Sequence, residues 1–68
     1  MNQWFKIYSS SNMPQASIVK GMLEENNVPA MLVNKQDSSY LNFGEIEIYV
    51  PVHLKVIAHH LMEQSLLN

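Results

Sequence analysis

The chain has 68 residues, no cysteine and a formal net charge of −2. Its length predicts a single domain covering residues 1–68, and the lack of cysteine excludes disulfides and thiolate metal sites. Its basic residues are four scattered lysines, which argues against nucleic acid as a partner, because proteins bind the phosphate backbone with clustered basic side chains.

Targeting and membrane signals are absent from the sequence. No basic segment followed by an apolar run marks a signal peptide. No apolar run approaches the roughly 20 residues that span a bilayer. We therefore expect a cytoplasmic protein that has no membrane partner.

The first predicted strand covers Gln3–Tyr8, where apolar and polar residues alternate. A strict alternation places Phe5 and Ile7 on one face of this strand and Trp4, Lys6 and Tyr8 on the other. A polar connector follows and leads into the first helix.

The first helix is predicted over Met13–Asn26, with Asn12 as its N-cap and Pro14 in its first turn. Its buried stripe is predicted from the helical spacing of five apolar residues: Ala16, Ile18, Val19, Met22 and Leu23. We expect Gly21 to allow close packing against the sheet. Asn27 closes the helix, since asparagine tolerates the left-handed cap conformation.

The second half of the chain contains two more strands and a helix. A short apolar strand over Ala30–Asn34 is followed by a long polar connector up to Gly44. The next strand, Glu45–Val50, alternates apolar and polar residues, which is typical of a strand with one buried face. The second helix is predicted over Val52–Leu67. Its core stripe is predicted to comprise Leu54, Ile57, Ala58 and Leu61, with Met62 and Leu66 beside it.

The order β-α-β-β-α predicts an α+β fold, a two-layer α/β sandwich of ferredoxin-like type without the final strand. Both helices cover one face of a three-stranded sheet, in which strand three lies between strands one and two. The other face has no covering layer, and the outer edge of strand one is unpaired. Unpaired edges invite strand pairing with a partner.

Five segments carry a likeness to a known family: Trp4–Tyr8, Gln15–Glu24, Asn27–Ala30, Asn34–Asp37 and Glu47–Pro51. In their order and spacing the chain resembles the putative prokaryotic signal transducing protein family of small bacterial domains. The resemblance implies a ferredoxin-like fold similar to that of the nitrogen-regulatory PII proteins. It assigns no catalytic residue, and the signalling function is itself inferred from fold.

The sequence does not predict an enzyme, a cofactor or a metal site. His53, His59 and His60 lie in the second helix at spacings that miss the i, i+3 or i, i+4 pairs of helical metal sites. A metal shared across a dimer is a minority alternative. Asp37 and the serines after it are interpreted as a solvated loop, because nucleophilic catalysis also needs an oriented base.

Two binding hypotheses remain. The first is a regulatory module that contacts a protein partner, or a second copy in a homodimer, through the open sheet face and the edge of strand one. Its candidate interface residues are Trp4, Lys6, Tyr8, Glu47 and Tyr49. The second is a small-molecule sensor at the 34–44 connector. Its candidate ligand-binding residues are Asn34, Lys35, Gln36 and Asp37.

Overall fold

The computed structural model describes residues 3–36 and 44–66. In chain order these form β1 (Trp4–Ser10), α1 (Met13–Glu25), β2 (Met31–Asn34), β3 (Ile46–Pro51), a 3-10 turn (Val52–Leu54) and α2 (Lys55–Leu66). Each predicted element is present, and its ends within the described residues differ from the prediction by at most three residues. The predicted end of the second helix at Leu67 lies outside the described residues. The fold is α+β, and its layout is compatible with the ferredoxin-like β-α-β-β-α order.

The sheet has the strand order β1-β3-β2, with β3 antiparallel to both neighbours. This confirms the predicted central place of β3. Since cross-strand partners point to the same side of a sheet, the pairing assigns each paired strand residue to a face.

The pairing of β1 with β3 is interrupted by a β-bulge. Lys6 pairs with Tyr49, but Tyr8 pairs with Ile48, so Ile7 is an extra residue on β1. A bulge shifts the alternation of the residues that follow it. Tyr8 therefore packs against the hydrophobic core, and its predicted place beside Trp4 and Lys6 is wrong.

The hydrophobic core lies between the sheet and the two helices. Ile46, Ile48 and Val50 of β3 are fully buried, as are Leu23 of α1 and Ala58 of α2. Alternate residues of a strand share one face, so both helices cover the same face of the sheet. This agrees with the predicted two-layer arrangement.

Two predicted core residues of the helices are exposed. Ile18 is 66 % exposed and Ile57 is 52 % exposed, whereas Met62 is buried. Successive helix residues are rotated by about 100°. With Ala58 and Met62 facing the sheet, Ile57 points well away from it, and Ile18 lies on the far side of α1 from Ala16.

The ends of α1 agree with the prediction. The Asn12 side chain accepts a hydrogen bond from the Gln15 backbone N–H at 3.0 Å. Asn27 has a φ of 65°. The backbone N–H groups of Asn27 and Val28 donate to the carbonyls of Glu24 and Leu23, which is the Schellman pattern of helix termination.

Gly21 does not have the predicted packing role. Outside the adjoining turns of α1, a Cβ atom built at this position meets no atom of the described residues within 4 Å. Glycine therefore costs α1 helical stability without providing close contact with the sheet.

Candidate functional site

The side of the sheet opposite the helices, here called the open face, presents polar and aromatic side chains. Pairing places eight residues on it: Trp4, Lys6, Ser9, Met31, Val33, Glu47, Tyr49 and Pro51. In the described part of the chain, both helices pack on the other side. Trp4 is 43 % exposed and Met31 is 40 % exposed, so large apolar side chains lie at the surface here.

A buried carboxylate lies at the centre of the open face. Glu47 is 9 % exposed and makes three contacts with neighbouring side chains. Tyr49 Oη donates to Glu47 Oε1 at 2.7 Å. Lys35 Nζ lies 3.1 Å from Oε1, and Lys6 Nζ lies 3.5 Å from Oε2. Residues from all three strands or their ends therefore meet at one carboxylate.

The contacts of Glu47 shift three pKa values in consistent directions. The hydrogen bond from Tyr49, followed by that from Lys35, lowers the pKa of Glu47, against the opposing effect of burial. The hydrogen bond to Glu47 raises the pKa of Lys35 and also that of Tyr49. Each group is thus held in the protonation state that it already has at neutral pH.

These shifts bear on the chemistry that the cluster can perform. General acid–base catalysis works best when a group has a pKa near the operating pH. The pKa values of Glu47, Lys35 and Tyr49 all move away from neutrality. The cluster instead provides a fixed arrangement of charges, with two ammonium groups around one carboxylate.

The open face ends in an apolar pocket of about 260 Å³, lined by Gln3, Trp4, Pro29, Pro51 and His53. Pro51 is the cross-strand partner of Trp4, and the backbone N–H of Val52 donates to the carbonyl of Gln3 at 2.9 Å. This bond holds the end of β3 against the start of β1, so the part of the pocket wall formed by Gln3, Trp4 and Pro51 comes from joined backbone.

The residues proposed as a ligand-binding loop make internal contacts. The Asn34 side chain accepts from the Gln36 backbone N–H at 2.9 Å, and Gln36 Nε2 donates to the carbonyl of Ser11 at 2.8 Å. Lys35 turns to Glu47 on the open face. Asp37 lies outside the described residues. Ligand binding at these four positions stays a prediction.

Gly44 brings the chain back against this segment. Its φ is +94°, and a Cβ atom there would clash with the carbonyl oxygen of Lys35. The adjacent Lys35 N–H donates to the carbonyl of Glu45 at 3.0 Å. This close backbone approach places Lys35 next to β3, which explains how it reaches Glu47.

Four of the five predicted interface residues lie together on the open face: Trp4, Lys6, Glu47 and Tyr49. Tyr8 does not, because of the bulge. Lys35, which the sequence suggested as a ligand-binding residue of the connector, joins this group. Pairing between residues so far apart in the chain depends on strand register, which no local pattern of the sequence reveals.

The pocket has no signature in the sequence, although Trp4 and His53 of its lining stood out there for other reasons. Pro29 lies just before β2 and Pro51 ends β3, and no local pattern of the sequence indicates that they meet. His53 lines the pocket. His59 contacts the Phe5 ring, with 6.1 Å between ring centroids. Among residues 3–36 and 44–66, no group of three acidic or histidine side chains is arranged to hold a metal ion.

Comparison with known proteins assigns a family. The family model described as Putative prokaryotic signal transducing protein matches residues 4–64. The chain belongs to this family. The match includes all strands and nearly all of α2, so the open face and all the pocket residues except Gln3 fall within the matched region. No curated protein and no solved structure matches the chain.

The family description indicates a signal-transducing module. Neither of the two helices in the described ranges is long and apolar enough to cross a bilayer.

Proposed function

We propose that this member of the signal transducing family is a non-enzymatic regulatory module that binds another protein through its open face. The observation that carries the proposal is the buried Glu47 at the centre of that face, held by Lys6, Lys35 and Tyr49. A charged group that is buried and paired in this way is costly to desolvate. Its fixed contacts keep the surrounding side chains in defined positions before a partner arrives.

The exposed aromatic and apolar side chains support the same proposal. Trp4 and Met31 flank Tyr49 and Lys6 on the open face. Tryptophan, tyrosine and methionine are enriched in protein interfaces. An exposed apolar patch bordered by polar residues is typical of an interaction site.

The absence of an enzymatic role is part of the proposal. It is supported by the directions of the pKa shifts, which keep Glu47 ionised and Lys35 and Tyr49 protonated at neutral pH. The small-molecule alternative has less support, because Asn34 and Gln36 are engaged in internal hydrogen bonds.

Site-specific photocrosslinking in the cells from which the protein comes tests the proposal. A benzoylphenylalanine residue in place of Met31 should crosslink to a defined protein, and Trp4→Ala in the same chain should abolish that crosslink. The matched control carries the photoreactive residue in place of Val56, which is 74 % exposed on α2.

Two results would contradict the proposal. One is equal crosslinking from positions 31 and 56, which indicates random collision. The other is a crosslink at position 31 that Trp4→Ala does not weaken while circular dichroism shows an intact fold. Sedimentation of the same variants identifies the remaining case, in which the crosslinked protein is a second copy of this chain.

A further inference from the structure

The chemistry of the open face points to the kind of partner that it accepts, and this inference rests on the proposed function. We propose that the open face binds an extended segment of another protein that carries an aromatic side chain and, four residues away, a carboxylate. The aromatic ring enters the Trp4–Pro51 pocket. The carboxylate bridges the ammonium groups of Lys6 and Lys35.

The size of the pocket supports a single side chain as its occupant. Its volume is about 260 Å³, below the roughly 300–1,000 Å³ of pockets that enclose whole small-molecule ligands. Its lining offers the indole ring of Trp4 and the rings of two prolines. Aromatic rings pack well in such surroundings through offset or edge contacts.

The charge around Glu47 supports a carboxylate at the other end. Lys6 and Lys35 surround one carboxylate, which leaves a net positive charge of one in a chain of net charge −2. Their side chains are 52 % and 56 % exposed, and each ammonium group can donate three hydrogen bonds. Donors that remain open to solvent can therefore donate hydrogen bonds to a second carboxylate.

The spacing of the two subsites follows from β3. Glu47 and Pro51 are four residues apart on the same strand, which is about 13 Å at the rise of an extended chain. A partner segment that lies extended along the open face has the same rise. Its residues i and i+4 point to the same side, so an aromatic residue and an acidic residue at this spacing reach both subsites.

The area of the open face favours a linear segment over a second copy. Three strands about 4.8 Å apart and about six residues long offer roughly 300 Å². A stable interface between folded proteins needs about 800 Å² on each partner. The open face alone is therefore small for a dimer, whereas a single extended strand covers much of it.

Selection from a phage library of random nonapeptides tests the inference, with the purified full-length protein as the bait. We expect enriched peptides to carry an aromatic residue and Asp or Glu four positions apart. The affinity of such a peptide should fall about tenfold or more with Trp4→Ala, which removes the wall of the pocket. It should fall roughly three- to thirtyfold with the double variant Lys6→Ala/Lys35→Ala, which removes two half-exposed ion pairs.

A matched control separates specific pairing from net charge. The double variant Lys20→Ala/Lys55→Ala loses the same charge, but Lys20 pairs with Glu24 on α1 and Lys55 lies over the Phe5 ring. It should bind the selected peptide with unchanged affinity. Thermal melting of each variant shows whether a loss of binding comes from unfolding.

The outcomes distinguish this inference from the proposed function. One outcome would overturn the inferred chemistry and leave the binding face intact. In that outcome the selected peptides lack an acidic residue, and their binding is unchanged in the double lysine variant but lost with Trp4→Ala. A dimer that dissociates with Trp4→Ala would also overturn it, because a second copy then covers the face. If no peptide is enriched over the bare support, the inference is also overturned. Crosslinking at position 31 then decides whether the proposed function holds.

Discussion

The two faces of β3 are built from alternate residues of one short strand, and they differ in almost every physical property. Ile46, Ile48 and Val50 are fully buried against two helices, and Glu47 is nearly as buried on the other side. The first set is buried by apolar packing. Glu47 is buried by two lysines and a tyrosine. Low exposure alone therefore does not identify the core of this domain.

This difference indicates that one face of β3 provides stability and the other provides recognition. The helix face gains stability from apolar area removed from water, which has no directional requirement. The open face depends on specific hydrogen bonds and ion pairs, which fix the orientation of side chains. Three predictions, from the largest expected effect to the smallest, test this division.

The largest effect is expected from a substitution on the helix face. Ile48→Ala should lower the free energy of unfolding by about 2–5 kcal/mol, because it removes a fully buried side chain and leaves a cavity. Urea denaturation followed by circular dichroism measures this loss. Tyr49→Phe, one residue away on the open face, keeps the ring and should cost much less. Equal losses at the two positions would remove the distinction between the faces.

A smaller effect is expected from titrating the open face. The pKa of Glu47 is lowered in the folded state, so its stabilisation is fully present above the pKa of an unfolded glutamate and is lost as pH falls through the folded value. We expect the melting temperature to decline below about pH 4. The pKa of Lys35 is raised in the folded state. Its contribution to the stability of the fold is therefore fully present below the pKa of an unfolded lysine and is lost in strong alkali.

The variant Glu47→Gln isolates this effect. It removes the titrating carboxylate, so the melting temperature should be lower at neutral pH and should depend less on pH in the acid range. Glu25→Gln, at an exposed position of α1, is the matched control. An unchanged acid profile in Glu47→Gln would show that other carboxylates determine acid stability.

The smallest effect concerns the helix layer that covers the apolar face. Gly21→Ala should raise the free energy of unfolding by about 0.5–1 kcal/mol, since alanine favours the helix and its Cβ meets no neighbour within 4 Å. Gly44→Ala is the contrasting variant, because its φ of +94° and the nearby Lys35 carbonyl oppose a side chain. Destabilisation by Gly21→Ala would indicate tighter packing beneath α1 than this structure has.

Elements with a strong local pattern were predictable from the sequence. The alternation in β3 identified the buried face, and Asn12 and Asn27 identified the ends of α1. The strand order also followed, because two amphipathic helices and three strands leave few arrangements. The buried face of β3 and the ends of α1 depend on residues that are close together in the chain, whereas the strand order follows from the small number of possible arrangements.

Features that depend on register were not predictable in the same way. One bulge residue, Ile7, moved Tyr8 from the open face to the core. The orientation of α2 after its 3-10 turn left Ile57 exposed. The meeting of Lys6, Lys35 and Glu47 depends on the pairing of both edge strands with β3. Such long-range alignment has no local signature.

The bulge in β1 has a consequence for behaviour in concentrated solution. A regular edge strand is a template on which another chain can pair and start an aggregate. Ile7 interrupts the regular ladder of β1, and bulges of this kind increase local twist. The sequence predicted the outer edge of β1 as a docking site. The bulge makes this edge a poorer template for strand addition. Deletion of Ile7 should straighten the strand and also remove a side chain that packs against the core, so we expect turbidity on long storage together with a loss of stability.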